Sequence, residues 1–229
     1  GPIDFALSAK GTPKKLVLTG LLDATGMSLK VENYFVKPAE VSLILNSRAV
    51  VSDKTLRTNK LELNLGPLTI LGTGYLTLDD QKQINFDFSS NEIDLDSLRP
   101  FLPFIMRTNA TGKASTKFNI DGHYRQQQQP RIQGELTVRR ATASPPLLAE
   151  HVEDLNATLA FVGEQITLKD GSFRVGRSSF RVTGATQKLT PLDASFDLST
   201  ALVHLKEVMP LPWAGMSENT NLKGRIWST

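Results

Sequence analysis

The chain has 229 residues, 40% of them hydrophobic and 21% charged, with a formal net charge of +3. That composition excludes wholesale disorder and leaves enough chain to bury a core. The basic residues are scattered, densest at Lys14-Lys15 and Arg139-Arg140, which argues against a nucleic-acid stripe. The absence of cysteine excludes disulfides, thiolate metal sites and a cysteine nucleophile.

Gly1-Pro2 reads as a protease scar, outside fold reasoning. From there the dominant signal is alternation of period two. "LELNL" sets Leu61, Leu63 and Leu65 on one face, against Glu62 and Asn64 on the other. After a turn at Gly66-Pro67, Ile70, Leu76 and Leu78 continue the apolar set. Asp79-Asp80 reads as a solvated turn, and "QINFDF" puts Ile84, Phe86 and Phe88 together. "DLDSLRPFLPFI" (Asp94 to Ile105) reads as a short helix that Asp94 or Asp96 can cap. Further turns are expected at Asp121-Gly122, Gly163-Glu164, Asp170-Gly171 and Gly176-Arg177, and Gln126 to Gln129 is a polar loop. "PPLLAEHVEDL" (Pro145 to Leu155) suggests one more helical turn. Alternation resumes with Leu155, Leu159 and Phe161, then Ile166, Leu168, Phe173 and Val175, then Phe180 and Val182, then Phe196 and Leu198. "HLKEVMP" (His204 to Pro210) reads as a second closing helix, and the end at "NLKGRIWST" reads as a fragment of a longer chain.

The chain also repeats itself at an offset of 110. Leu65-Gly66 falls on Val175-Gly176, Thr73-Gly74 on Thr183-Gly184, Phe86-Asp87-Phe88 on Phe196-Asp197-Leu198, and Pro100 on Pro210. With a slip of two, "TNATGK" (Thr108 to Lys113) falls on "TNLKGR" (Thr220 to Arg225). Residues 3–105 and 106–215 are therefore read as two β-groove repeats and 216–229 as the opening of a third. A long self-similar period implies a stacked or extended repeat architecture. The expected fold is all-β: twelve to fifteen short strands in a curled antiparallel sheet, forming an open groove, with a short helix closing each repeat. A sheet with one apolar face must cover it, and the sequence offers no long amphipathic helix. Two packed sheets with a dry core remain the alternative.

These residues resemble the AsmA-like family, which includes the TamB-like proteins of bacterial envelopes. The likeness rests on "NATLAFVGEQITLKDGSFRVGRSSFRVTG", on the repeated Phe-Asp-apolar-Ser phrase with a Leu-rich stretch ending in Pro, and on "GELTVRRATAS". It covers about residues 40–229 and, more weakly, the first 40, through degenerate strand patterns rather than invariant chemistry. The resemblance implies a segment of a repeating β-groove protein. Such proteins are anchored in the inner membrane, extend through the periplasm and are implicated in moving phospholipids to the outer membrane. The family's N-terminal membrane helix is missing from this sequence.

The sequence does not point to an enzyme or to any cofactor. His123, His151 and His204 are far apart and form no metal motif. There is no Gly-x-Ser-x-Gly, P-loop or Gly-x-Gly-x-x-Gly, and "GTGYL" at Gly72 has no following helix to cradle a phosphate. Asp87 and Asp197 recur at one repeat position, which suits a turn or a cross-strand hydrogen bond. The functional candidate is the apolar face, expected to hold acyl lipids by burial. Lys113, Arg139, Arg140, Arg174 and Arg177 are candidate headgroup contacts. Neighbouring repeats and an envelope protein are the other expected partners. The rival reading is an envelope scaffold with a protein partner at an edge strand.

Overall fold

Among the described residues the alternation resolves into sixteen strands, most of them longer than the turn spacing suggests. In the computed structural model, residues 1–32, 34–124, 129–145, 150–189, 192–201 and 221–228 are described. Strands β1 (Asp4–Thr12) and β2 (Lys15–Asp23) are followed by the short β3 (Leu29–Val31) and β4 (Phe35–Lys37). Then come β5 (Leu43–Ser52), β6 (Thr55–Leu65), β7 (Leu68–Thr77), β8 (Gln83–Ser90) and the two-residue β9 (Ile93–Asp94). After a 3₁₀ turn at Leu95–Leu98 and helix α1 (Pro103–Thr108), β10 (Thr111–His123) and β11 (Arg131–Ala143) follow. The last five are β12 (Val152–Val162), β13 (Gln165–Val175), β14 (Ser178–Leu189), β15 (Leu192–Thr200) and β16 (Asn221–Ser228).

Hydrogen bonding runs β1-β2-β5-β6-β7-β8-β10-β11-β12-β13-β14-β15-β16, with β9 beside β10 and β3 paired only with β4. Among the described residues the path does not close, because β1 has β2 as its single neighbour. Among the described residues there is no second sheet large enough to make a sandwich. The fold is all-β, and the recorded pairings in the large sheet are antiparallel except β15 with β16, which is parallel.

Two compact units divide the chain. The first holds Gly1–Ile93, Pro100–Pro103 and Thr116–Gly134; the second holds Asp94–Arg99, Phe104–Ser115 and Glu135–Thr229. The offset of 110 reappears in strand boundaries: β6 starts and ends at 55 and 65, β13 at 165 and 175. It reappears in register. Gly74 faces Phe86 as Gly184 faces Phe196, and Leu65 faces Leu68 as Val175 faces Ser178. The β5–β6 register slips between Arg48 and Ala49, and the β12–β13 register slips between Thr158 and Leu159. The β6–β7 slip between Thr58 and Leu61 recurs in β13–β14 between Leu168 and Gly171.

That last bulge corrects the turn expected at Asp170-Gly171, which lies inside β13. A β-bulge uses the same residue type as a turn, and Gly171 sits where a Cβ would meet Val182 Cγ1 at 2.7 Å. The change of parity from Ile166 and Leu168 to Phe173 and Val175 is the bulge seen from the sequence. Asp121-Gly122 is likewise inside β10. Gly66, Gly163 and Gly176 do occupy turns, with φ of 53°, 59° and 55°.

The helix expected over Asp94 to Ile105 is broken in two. The 3₁₀ turn ends at Leu98, with Arg99 still in helical backbone (φ −51°, ψ −41°) before Pro100, and Pro103 restarts a helix at its first position. Asp94 sits at the N-cap of the 3₁₀ turn but makes no capping bond; its carboxylate lies 3.2 Å from Lys113 Nζ. Of the turn suggested over Pro145 to Leu155, residues 152–155 are strand β12, and 146–149 lie outside the described residues. Gln126 to Gln128 and the expected helix at His204 to Pro210 also lie outside them. In the first unit Phe101, 3% exposed, packs on the β6–β7 turn, where a Cβ on Gly66 would meet its ring at 2.8 Å. Between β2 and β5 the Lys37 ammonium is wholly buried. It donates to the carbonyls of Thr25 (3.0 Å), Met27 (2.5 Å) and Pro38 (3.1 Å), which fixes the β3–β4 insert.

Candidate functional sheet faces

Directly opposed residues of an antiparallel pair project to the same side of the sheet, so register decides which side chains share a face. In the first unit one row runs Phe118, Phe88, Gly72, Leu61, Ser47. The next runs Ile120, Phe86, Gly74, Thr58, Ala49. Ile84, Leu76 and Leu56 form a third, and Ile70, Leu63 and Leu45 a fourth. Leu65 faces Leu68 and Leu43. In the second unit the rows are Phe196, Gly184, Leu168, Leu159, and Leu198, Val182, Gly171, Ala157. Phe161 pairs with Ile166 and Phe173 with Phe180, while Leu155 packs on the cluster of Val152, Val175 and Phe180.

The repeated phrases now have one cause. Thr73-Gly74 and Phe86-Asp87 are opposite each other, as are Thr183-Gly184 and Phe196-Asp197. On the apolar side an aromatic ring lies across a glycine; a Cβ on Gly74 would meet Phe86 Cγ at 2.7 Å. On the polar side threonine faces aspartate, and Asp87 Oδ1 accepts from Asn119 Nδ2 at 2.9 Å. Asp87 is thus a cross-strand hydrogen-bonding group. The aromatic side is ordered by stacking: Phe88 lies 4.7 Å from Phe118 and 5.9 Å from Phe86, and Phe173 lies 5.1 Å from Phe180.

Most of this face is half-buried. Of the side chains expected on it, only Phe86, Val175 and Phe180 are nearly enclosed, at 8%, 1% and 5% exposed. Leu78 is displaced: the chain leaves β7 at Thr77, and Leu78 is 53% exposed. The structure adds members that were not singled out, notably Phe118 and Ile120 of β10 and Phe5, Leu7, Leu16, Leu18 and Leu22 of β1 and β2. Their signal was present, since "FALSAK" and "KFNID" alternate as cleanly as "LELNL".

Among the five basic residues, ion pairs hold Lys113 and Arg174. Lys113 pairs with Asp94, and Arg174 Nη2 lies 2.7 Å from Glu153 and 3.2 Å from Asp154. Arg174 lies between Phe173 and Val175 in β13, on the opposite face. Arg139 and Arg177 also have interactions of their own. Arg140 has a φ of 46°, and its N–H donates to Asn156 Oδ1 at 3.0 Å.

Other chemistry is sparse among the described residues. No group of acids and histidines could hold a metal ion, and no helix is long and apolar enough to cross a membrane. Ser144 Oγ lies 2.7 Å from His151 Nδ1, but no carboxylate among the described residues contacts that ring to orient it as a base. Asp79 accepts the Gln81 N–H, and its hydrogen bond with Thr77 holds its carboxyl below the ordinary range. The Thr25 hydrogen bonds do the same to Asp23, and Lys60, 2.8 Å away, to Glu62. Compared with known protein families, curated proteins and solved structures, the chain matches none.

Proposed function

We propose that this chain is a non-enzymatic lipid-binding segment whose two repeats each offer an apolar sheet face to phospholipid acyl chains. The observation that carries the reading is the state of that face. Its members are aligned by register over several strands yet left half-buried, and no second sheet of comparable size is paired within the described residues. An acyl chain on such a surface gains about 0.8 kcal/mol for each buried CH₂. Burial alone can hold two long chains, with little headgroup selectivity and freedom to slide. Taken with the AsmA-like resemblance, this makes the chain part of a periplasmic bridge carrying phospholipid between the inner and outer membranes, tethered through a segment outside this sequence.

Native mass spectrometry of the purified protein, with lipid extraction from the same sample, tests the proposal. Phospholipid should co-purify, and be lost in Phe88→Glu and Phe161→Glu. These positions are half-buried, so the variants keep the fold more readily than changes at the enclosed Phe86. A lipid-free protein that also fails to take up a fluorescent phospholipid would sink it. The rival reading, a scaffold with a protein partner at an edge strand, draws on β1. Every residue of β1 is exposed and it has one neighbour in the sheet.

A further inference from the structure

The polar face of the second unit carries a cluster that the repeat does not require. Register places Arg174 opposite Ser179, Ser172 opposite Arg181, and Arg181 opposite Ser199. Opposed Cβ atoms lie about 5 Å apart, so these side chains form one contiguous patch. A shallow pocket of about 510 Å³ opens over it. Its lining also includes Asp154, Asn156 and the apolar-side Phe173 and Phe180; register, with successive residues alternating, puts Arg181 and the three serines on the side opposite those two rings. Among the described residues, the side chains of Ser172, Ser179, Arg181 and Ser199 make no hydrogen bond or ion pair. Arg174 is paired with Glu153, its register partner on the same face, and with Asp154.

At the matching positions of the first unit stand Glu62, Asn64, Thr69, Leu71 and Ser89. The same register there accommodates an acid and a leucine that is 50% exposed, so neither Arg181 nor Ser172 is needed to build the sheet. The second unit also has a register shift without counterpart in the first, between Glu153 and Asn156, with Asp154 at a φ of 51°. The two acids that buttress Arg174 sit at this bulge. Bulges are over-represented beside functional sites because they re-aim side chains.

We propose that this patch is a binding site for a phosphate group. The Arg181 guanidinium supplies a planar fork of donors, and the hydroxyls of Ser172, Ser179 and Ser199 supply single donors around it. Arg174 adds a second cation in a fixed position. Several donors converging from three strands suit an oxyanion with three free oxygens better than a carboxylate with two. The site lies across the sheet from the apolar face of the same unit, so it goes beyond the lipid reading. A free phosphate ester or a phospholipid headgroup at a membrane surface would present the same chemistry.

The test is a titration of the isotopically labelled protein with inorganic phosphate, followed by amide chemical shifts at constant ionic strength against chloride. Saturable shifts are expected at residues 172–181 and 199, weakened about tenfold or more in Arg181→Gln and partly restored in Arg181→Lys. Arg181 is exposed, so both variants should keep the wild-type spectrum elsewhere. Co-sedimentation with phosphatidylglycerol vesicles, lost in Arg181→Gln, would name a lipid headgroup as the source. Binding of glycerol phosphate without vesicle binding would name a free ester. Phe161→Glu, which tests the apolar face, should leave phosphate binding intact. Shifts that do not saturate, that chloride or acetate reproduces, or that survive in Arg181→Gln would overturn the site.

Discussion

The strands β5 to β8 of the first unit and β12 to β15 of the second follow one backbone plan with two sets of side chains. Strand limits, cross-strand partners and two register slips recur at an offset of 110, yet in one row the glycine moves. In the first unit Gly72 lies between Phe88 and Leu61; in the second, Val182 lies between Leu198 and Gly171. Each row has one large residue beside one glycine, at a different strand. What is kept is the volume across the row, as close packing requires. The units part company at their last link. Strand β8 is followed by β10 running antiparallel, with Phe88 opposite Phe118, whereas β16 runs parallel to β15, with Phe196 opposite Gly224. The recurrence of "TNATGK" as "TNLKGR" does not reproduce the pairing direction.

The largest effect expected from breaking this comparison is at the enclosed cluster of the second unit. Phe180→Ala removes a ring packed on Val152 and Val175 and should cost about 3–5 kcal/mol in urea unfolding. Ile70→Ala, at the matching half-buried position, should cost less than about 2 kcal/mol. Equal losses would mean that burial does not separate the units.

Row volume is tested by exchange. Gly72→Val drives a side chain onto Phe88 Cε1, which a Cβ alone would approach to 2.6 Å, and should destabilise by about 1–3 kcal/mol. Adding Phe88→Leu and Leu61→Gly recreates the second unit's row and should recover most of that loss. Failure to recover would show that the rows are not interchangeable.

Lys37→Met leaves three inward-facing carbonyls without a donor and should cost about 1–3 kcal/mol, read as a lower thermal midpoint. Faster hydrogen exchange should be confined to the insert between Ala24 and Ser42. The smallest effect is acid sensitivity of the first unit. Asp23, Glu62 and Asp79 have carboxyls held below their ordinary range. Each contributes stability that is complete above its unfolded pKa, about 3.9 for Asp and 4.3 for Glu, and lost as pH falls through the lower folded value. Amide shifts around these residues should therefore titrate below the ordinary carboxylate range rather than within it. A titration centred above the ordinary range would contradict the hydrogen bonds assigned to them.

Much of the strand content was legible because alternation and turn glycines are local signals. Leu61, Leu63 and Leu65 could be placed on one face without any partner strand. Asp170-Gly171 was misread because a bulge and a turn ask for the same residue types, and only the partner strand tells them apart. Leu78 was misread because alternation does not show where a strand stops. The polar cluster was half visible: Arg174 was singled out, but Arg181 gains its meaning from Ser172 and Ser199, which stand beside it only through register.

By itself the sequence determined an all-β chain, a repeat of 110 residues and an apolar side to each strand, because these depend on spacing along the chain. The tertiary structure alone decided that glycine and phenylalanine of the two repeated phrases are partners. It also decided that β16 runs parallel to β15, and that an arginine and three serines share one patch. Those facts depend on which strands lie side by side, and local spacing carries no record of that.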